Sequence, residues 1–342
     1  MERGSGSMNR RFLLARRPEG MPVPEDFALV EAPVPTPPPG GFVVRNHFCS
    51  LDPAQRGWMD DAPSYMPPIP LGDPVRASTV GVIHASDNPD FRPGEWVLGM
   101  NALEDYSVNQ PGGFTMKIDV SQVASPSLFL SAMGAVGLTG YFGLLEVAKP
   151  QPGEVLLVSG AAGAVGSAVG QIGRIVGCRT IGIAGGPEKC RRLREDYGYD
   201  VAIDYKGKSV AELAAEIRAA APEGVNIVFE NVGGTVMDAE MLNLAKHARI
   251  VLCGLISEYN LTEKYGLRNL WPVLTQQATI YGYLIMDYAP RFAEAGAVMA
   301  QWMAEGRLRI DEDLQHGLEN AYPAFMRLFT GANTGKLVLQ IA

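Results

Sequence analysis

One stretch limits what this chain can become: Glu154-Val-Leu-Leu-Val-Ser-Gly-Ala-Ala-Gly-Ala-Val-Gly-Ser-Ala-Val-Gly-Gln-Ile-Gly173. The run 155–158 is apolar without alternation, as expected of a strand buried on both faces of a parallel sheet. Small residues follow from Gly160 to Gly166. The spacing then turns helical, with Val165, Val169, Ile172 and Val176 on one face. Strand, glycine-rich turn and helix make the first crossover of a dinucleotide-binding fold. Gly163 is expected to let backbone approach a pyrophosphate, and Gly166 to let the helix pack close to the strand. The helix start would offer its N–H groups to phosphates. Against G-x-G-x-x-G the turn is a variant, with Ala161 in the first glycine's place and an extra Gly160. Ordinary tight turns can carry such a pattern, so the rest of the chain must support it.

Downstream it does. Strands are expected at 155–159, 179–184, 201–204, 225–230, 248–253 and 279–285, with helices between them, such as 209–220 and 235–246. Six parallel strands with crossover helices make a doubly wound α/β sheet. Upstream, 10–130 is rich in turn and strand signals. The prolines and glycines of 33–41 exclude helix there. Strands are expected at 42–48 and 79–84, a turn at 51–58, an extended proline-locked segment at 65–72, and a turn into another strand at 91–99. This half reads as β-rich and barrel-like. Near the end, 320–329 reads as an amphipathic helix closed by Gly331, and 336–341 as a last strand. The expected domains are 8–131 (β-rich), 132–307 (dinucleotide-binding) and 308–342, a tail rejoining the first.

The 342 residues suffice for two domains. With 47% hydrophobic and 19% charged residues, the composition is that of a soluble enzyme rather than a disordered chain. A net charge of −8 argues against non-specific nucleic-acid binding. Two uncharged stretches, 120–145 and 155–173, could suggest membrane spans. The first is broken by Ser121, Gln122, Ser125, Pro126 and Ser127, and the second is the strand–turn–helix above, so both read as core. Residues 1–7 lack the apolar run of a signal peptide and read as a cloning scar before Met8. Cys49, Cys178, Cys190 and Cys253 form no C-x-x-C pair. That favours a reducing cytoplasm over a disulfide framework or structural zinc. A catalytic zinc needs three protein ligands. Cys49 has no partner at ligand spacing, since 71–82 lacks a His-Glu pair and His84, His247 and His316 are scattered. No metal is expected, and Cys49 reads as a small buried apolar group.

Cofactor choice is read at the tip of the second strand, where a carboxylate favours NAD and cations favour the extra phosphate of NADP. Here the tip is Gly185-Gly186-Pro187-Glu188-Lys189, with Arg191 and Arg192 behind. No carboxylate sits at the tip itself, and Glu188 is expected to cap the next helix. Lys189 is the candidate for the phosphate; the plain alternative is a solvated helix lysine. Tyr205, after the third strand, either packs on the adenosine or is simple core.

These pieces resemble one family, the zinc-independent medium-chain reductases. Its members include the leukotriene hydroxydehydrogenase and prostaglandin reductase group, plant alkenal double-bond reductases and bacterial curcumin reductases. The resemblance runs from about Phe12 to the C-terminus. It rests on Leu51-Asp-Pro53 with Arg56-Gly57, Ser64-Tyr-Met-Pro-Pro68, Gly137-Leu-Thr139 with Tyr141-Phe-Gly-Leu144, and the glycine turn of 158–167. It continues through Ala184-Gly-Gly-Pro-Glu-Lys-Cys190, Ile203-Asp-Tyr205 and Glu230-Asn-Val-Gly-Gly234. The last matches are Cys253-Gly-Leu-Ile-Ser-Glu-Tyr-Asn260 and Gly331-Ala-Asn-Thr-Gly-Lys336.

The resemblance implies NADPH, a GroES-like catalytic domain beside a Rossmann domain, and a homodimer. Position by position, it puts Gly163, Ala164, Val165 and Gly166 at the pyrophosphate and Lys189 and Tyr205 at the 2′-phosphate. Asn231, Cys253, Ile256, Ser257, Tyr259, Tyr283, Leu284, Ile285 and Asn333 would line the rest of the cofactor cleft, and Tyr65 the substrate pocket. Two departures bear on substrate identity. The family's Asp-Pro-Tyr-Met-Arg is here Asp52-Pro-Ala-Gln-Arg56, and its Met-Gly-Met-Pro-Gly is here Met133-Gly-Ala-Val-Gly137. Gln55 and Met133 are therefore further pocket candidates. The implied reaction reduces the C=C bond of an enone or enal, with hydride reaching the β-carbon and an enolate forming. Without zinc, hydrogen-bond donors must stabilise that oxygen. The cofactor's ribose hydroxyl and Tyr259 are the candidate donors, and a proton would then reach the α-carbon from Tyr259 or from water; the plain alternative is that Tyr259 is only a pocket wall. Two alternatives stand beside this reading: a zinc-free quinone reductase and a non-catalytic NADPH-binding protein.

Overall fold

The computed structural model describes residues 8–121 and 123–342. The scar reading of 1–7 and Gln122 lie outside the described residues. The chain forms two units. One holds the chain to Leu130 with Glu312–Asn333 and Leu337–Ala342; the other holds Ser131–Asp311 with Thr334–Lys336.

In chain order the first unit gives β1 (Met8–Leu14), β2 (Phe27–Pro33), β3 (Phe42–Ser50), the short helix α1 (Ala54–Trp58), β4 (Arg76–Ser86), β5 (Trp96–Ala102), β6 (Tyr106–Asn109) and β7 (Thr115–Lys117). The second gives α2 (Ala135–Phe142), β8 (Val155–Val158), α3 (Ala164–Ile175), β9 (Arg179–Ala184), α4 (Pro187–Glu195), β10 (Val201–Asp204) and α5 (Val210–Ala220). It continues with β11 (Val225–Glu230), α6 (Gly234–Met241), β12 (Leu244–Leu252), α7 (Trp271–Thr275), β13 (Thr279–Gly282) and α8 (Phe292–Ala304). The tail gives β14 (Glu312–His316), α9 (Ala321–Thr330) and β15 (Lys336–Gln340).

The first unit is an antiparallel sheet in the order β14-β15-β3-β4-β5-β7, with β6 on β3 and β1-β2 as a separate pair. Its interior carries amides as well as hydrocarbon. Thr79 Oγ1 donates to Asn46 Oδ1 (2.7 Å), Asn101 Nδ2 to Thr79 Oγ1 (2.8 Å), and Asn109 Nδ2 to Asn101 Oδ1 (3.0 Å). This linked chain gives the buried polar groups the partners they need.

The second unit is a parallel sheet in the order β10-β9-β8-β11-β12-β13. Counted within the unit, that is 3-2-1-4-5-6, so the order reverses between β8 and β11. Ligands bind at the carboxyl ends of strands beside such a reversal. The uninterrupted apolar run 155–158 has the predicted meaning. Leu156 and Val158 enter one core, with Phe229, Val251 and residues of α2, α3 and α8; Leu157 enters the other, with Val228, Ile250 and residues of α5 and α6. Both sheet faces are covered, which is why no polar residue interrupts the strand.

Four local expectations change. The helix expected at 235–246 stops at Met241. Asn243 turns its Nδ2 back to Ala239 O (2.9 Å), and its carbonyl accepts Val225 N–H (2.8 Å), which starts strand pairing early. The strand expected at 279–285 ends at Gly282 and leads into a 3-10 helix, Ile285–Arg291. The turn expected at 51–58 contains α1. Glu188 does not cap α4: Gly186 is the cap residue with no side-chain bond, and the Glu188 carboxylate pairs with Arg191 at 2.6 Å. Proline at the first helical position leaves no N–H there to cap.

Candidate functional site

The glycine turn forms by close approach. A Cβ on Gly166 would lie 2.4 Å from Gly160 O and 2.6 Å from Ala161 Cα, so only glycine lets α3 pack this near β8. Gly160 itself has φ +57°, a region that favours glycine. α3 starts at Ala164 with Gly163 as its cap residue, and no side chain caps it. The amides of Ala164, Val165 and Gly166 are therefore not satisfied by a side chain. A helix start in that condition fits a pyrophosphate.

At the tips of β9 and β10, cations gather. Arg191 is held by Glu188 and Glu195, and Arg192 by Asp196 and Asp311, so both are already partnered. Lys189 and Lys206 have no carboxylate within ion-pair distance among the described residues. Burial, first, and then the charges of Lys206 and Arg192 hold the Lys189 ammonium below the usual lysine range. Gly185 lies under this cluster. A Cβ there would lie 3.0 Å from Lys206 Cε and 3.1 Å from the Tyr205 ring. Lys206 was missed in the sequence because its place beside Gly185 depends on how β10 aligns with β9. A half-buried ammonium and an exposed one beside an aromatic ring fit a ribose phosphate next to an adenine.

At the ends of β11 and β12, two turns are bonded together. The Glu230 carboxylate accepts the Ser159 hydroxyl (2.9 Å), Gly233 N–H (2.7 Å) and Val232 N–H. Its carbonyl accepts Cys253 N–H (2.9 Å) and Gly254 N–H (3.1 Å). Asn231 donates from Nδ2 to Ser159 O (2.8 Å), and its own carbonyl accepts Ile256 N–H (3.1 Å). Val232 O accepts both the Ser257 N–H (2.9 Å) and hydroxyl (2.6 Å). Tyr259 closes the second turn by accepting Leu255 N–H at 3.1 Å. Its oxygen therefore lies at the strand ends, in contact range of Gly254. Glu230 and Ser159 organise this whole group. Sequence reading saw Glu230 only as part of a motif, since a carboxylate's target cannot be read from spacing.

The remaining expected site residues fall in different settings. Tyr283 turns inward: its hydroxyl donates to Thr139 O at 2.7 Å and lies by the Cys253 thiol, which burial pushes up to about 12. Leu284 is exposed, Ile285 partly buried, and Met133 packs at the rim of the α2 core. Gln55, Tyr65 and Asn333 belong to the first unit. Gln55 is buried, and its amide holds backbone, donating to Arg76 O (2.8 Å) and accepting Asp52 N–H (2.9 Å). Tyr65 is 52% exposed, with its ring edge-on to Trp58 at 6.2 Å. Trp58 Nε1 is buried with no hydrogen-bond partner among the described residues. Cys49 is buried in the first unit's core, and burial pushes its thiol far up. Among the described residues, no group of three or more His, Cys, Asp or Glu is placed to hold a metal ion.

Comparison with known proteins places this architecture. Residues 10–117 match the family described as N-terminal domain of oxidoreductase, and 164–302 the family described as zinc-binding dehydrogenase. An NADPH-dependent curcumin reductase of Escherichia coli is 42% identical over 340 residues, covering 98% of this chain and 97% of its own. A 2-alkenal reductase (NADP(+)-dependent) of Nicotiana tabacum is 34% identical, covering 98% of each chain. The crystal structure of CurA from Vibrio vulnificus in complex with NADPH superposes with a TM-score of 0.91 at 42% identity, covering 97% of this chain and 99% of that one. With such identity over nearly the full length, and with the reversed strand order and close-packed glycine turn behind it, the chain belongs to the zinc-independent medium-chain reductases, in the curcumin-reductase-like group.

Proposed function

We infer that this protein uses NADPH to reduce the C=C bond of α,β-unsaturated ketones or aldehydes. The observation that carries the cofactor is the pair Lys189 and Lys206 at the β9 and β10 tips, with no carboxylate within ion-pair distance among the described residues. The names of the E. coli and tobacco relatives support the substrate class. When bound, the cofactor supplies hydride to the β-carbon of the substrate. Gly163, Ala164, Val165 and Gly166 hold the pyrophosphate with backbone amides, and Lys189, Lys206 and Tyr205 hold the 2′-phosphate and adenine. Asn231, Cys253, Ile256 and Ser257 shape the turns that receive the rest, with Leu284 and Ile285 as further walls. Tyr283 braces this region from within through Thr139. Tyr259 donates to the oxygen on which negative charge develops. Within the first unit, Tyr65 rather than the amide of Gln55 is the side chain assigned to substrate.

A second copy of the chain is the expected partner. β13 is an edge strand whose residues are all exposed, and Trp271, Leu274 and Leu284 add exposed apolar surface near it in sequence. An exposed apolar edge invites pairing. No helix among the described residues is long and apolar enough to cross a membrane, and four unpaired cysteines suit the cytoplasm.

The test follows NADPH absorbance across a panel of enones, enals and quinones, with product analysis. Saturation at C=C with the carbonyl intact is expected. Turnover of quinones alone would replace the reading with quinone reduction, and binding without any turnover would make the protein a cofactor carrier.

A further inference from the structure

Glu240, on α6, takes no part in the chemistry above, yet its burial needs an explanation. Neither its side chain nor that of Glu230 has any exposure, and the two carboxyls meet. No group of the described residues donates to either oxygen of Glu240 or to Oε2 of Glu230. Glu230 Oε1, in contrast, takes one hydroxyl and two amides. Two ionised carboxylates this close, out of water and with no cation between them, repel strongly. A single proton between them removes the repulsion and joins Glu230 Oε2 to one oxygen of Glu240. Glu230 Oε1 already accepts three donors, so the donor of the pair is Glu240. Burial, first, and then the charge and hydrogen bond of Glu230 push the Glu240 carboxyl well above the carboxylate range.

We propose that Glu240 is a positioning residue, a neutral acid that donates to Glu230 Oε2 and so fixes the 231–234 turn in the shape that receives NADPH. The proposal rests on reading that turn as part of the cofactor site. The surroundings leave the pair to itself. α5, packed on α6, turns Leu213, Ala214 and Ile217 inward, and its Glu212, Glu216 and Arg218 are exposed. Asp238, on α6 itself, is engaged by Tyr265 and the amides of Arg268 and Asn269. Glu258 meets the far side of the turn at Gly234 N–H, and Cys253 stays a thiol.

The sign of the pH effect follows. Unfolded, Glu240 ionises in the ordinary carboxyl range; folded, it keeps its proton to higher pH. Between those two points the folded state binds more protons. Stability contributed by this group is therefore lost as pH rises, by up to about tenfold in the unfolding constant per pH unit.

The experiment compares wild type, Glu240→Gln and Glu240→Met by urea unfolding from about pH 5.5 to about pH 8.5, and by NADPH titration followed by fluorescence. Glutamine keeps a donor and has no proton to lose; methionine keeps the length and has no donor. The glutamine variant should lose the extra slope of stability with pH and bind NADPH within about twofold of wild type. The methionine variant should fold and bind NADPH roughly tenfold more weakly, the effect of one orphaned buried acceptor. Equal affinities in the two variants, or the same pH slope in wild type and Glu240→Gln, would overturn the proposal. A wild type that takes up no NADPH would instead remove the cofactor reading, and the positioning role with it. The unfolding slopes need no cofactor, so they decide the shared proton separately.

Discussion

Two groups at the strand ends of the second unit handle charge in opposite ways. At the β9 and β10 tips, Lys189 and Lys206 have no carboxylate within ion-pair distance among the described residues, although Arg191 and Arg192 one turn away are each held by carboxylates. At the β11 and β12 ends, Glu230 spends its charge internally on one hydroxyl and two amides. The first arrangement is incomplete until an anion arrives. The second needs no anion, its Oε1 being taken by three internal donors, and fixes the backbone around it. A change at the lysines should therefore cost ligand affinity while the fold stands, and a change at Glu230 should cost the fold first.

Glu230→Ala is the largest break. It strands the Ser159 hydroxyl and the Val232 and Gly233 amides, each buried donor left unpaired costing about 1–3 kcal/mol. A loss on the order of 3 kcal/mol or more is expected, with NADPH binding lost at the same time. Urea unfolding checks it. A stable variant that still binds NADPH would show that the turns hold themselves.

What sequence alone disclosed divides along the same line. The sheet was legible because burial on both faces writes itself locally, as in 155–158, and because glycine at 166 marks a close approach only glycine permits. Lys189 was legible as a cation where a carboxylate was missing. The partners were not. Lys206 reaches the Gly185 site only through the alignment of β10 with β9. The Tyr283 hydroxyl finds a carbonyl 144 residues earlier in the chain. Glu240 meets Glu230 because one turn of backbone folds α6 over the strand it follows. Gln55 occupies a place where the family pattern differs, and its burial in backbone hydrogen bonds could not be seen from that departure. Residue types carried the chemistry; pairing needed three dimensions.

Lys189→Ala comes next in size. Loss of a charge-assisted contact to the 2′-phosphate should weaken NADPH by about 1.5–3 kcal/mol, with NADH affinity and urea stability nearly unchanged. Equal losses for both cofactors would make Lys189 structural and erase the contrast with Glu230.

Tyr259→Phe tests whether one member of the saturated group also acts on substrate. It removes a hydroxyl that accepts Leu255 N–H at 3.1 Å. A tenfold fall in kcat, about 1.4 kcal/mol, is expected with NADPH affinity retained, less than a full oxyanion donor because other donors share the load. Unchanged kcat with a raised KM would make Tyr259 a pocket wall. Weakened NADPH binding would make it part of the cofactor site alone.

The smallest effect expected is at Lys206, and it sharpens the comparison most finely. A partly exposed cation contributes modestly to holding a phosphate, about 0.2–1 kcal/mol, so Lys206→Ala should weaken NADPH only a few-fold. Its second consequence is on pH. Lys189 is held below the ordinary lysine range by burial first and by Lys206 next. It binds phosphate only when protonated, so NADPH affinity should fall as pH rises through that lowered value, sooner than an ordinary lysine would allow. Removing Lys206 takes away a like charge and raises Lys189 toward the ordinary range. The alkaline loss of affinity should then move to higher pH even though binding at neutral pH is weaker. NADPH titrations of wild type and Lys206→Ala across the alkaline range, with NADH as the control lacking the 2′-phosphate, separate the two effects. A profile that stays in place, or shifts toward lower pH, would mean that the two ammonium groups do not share one anion, and that the open charge at this end belongs to Lys189 alone.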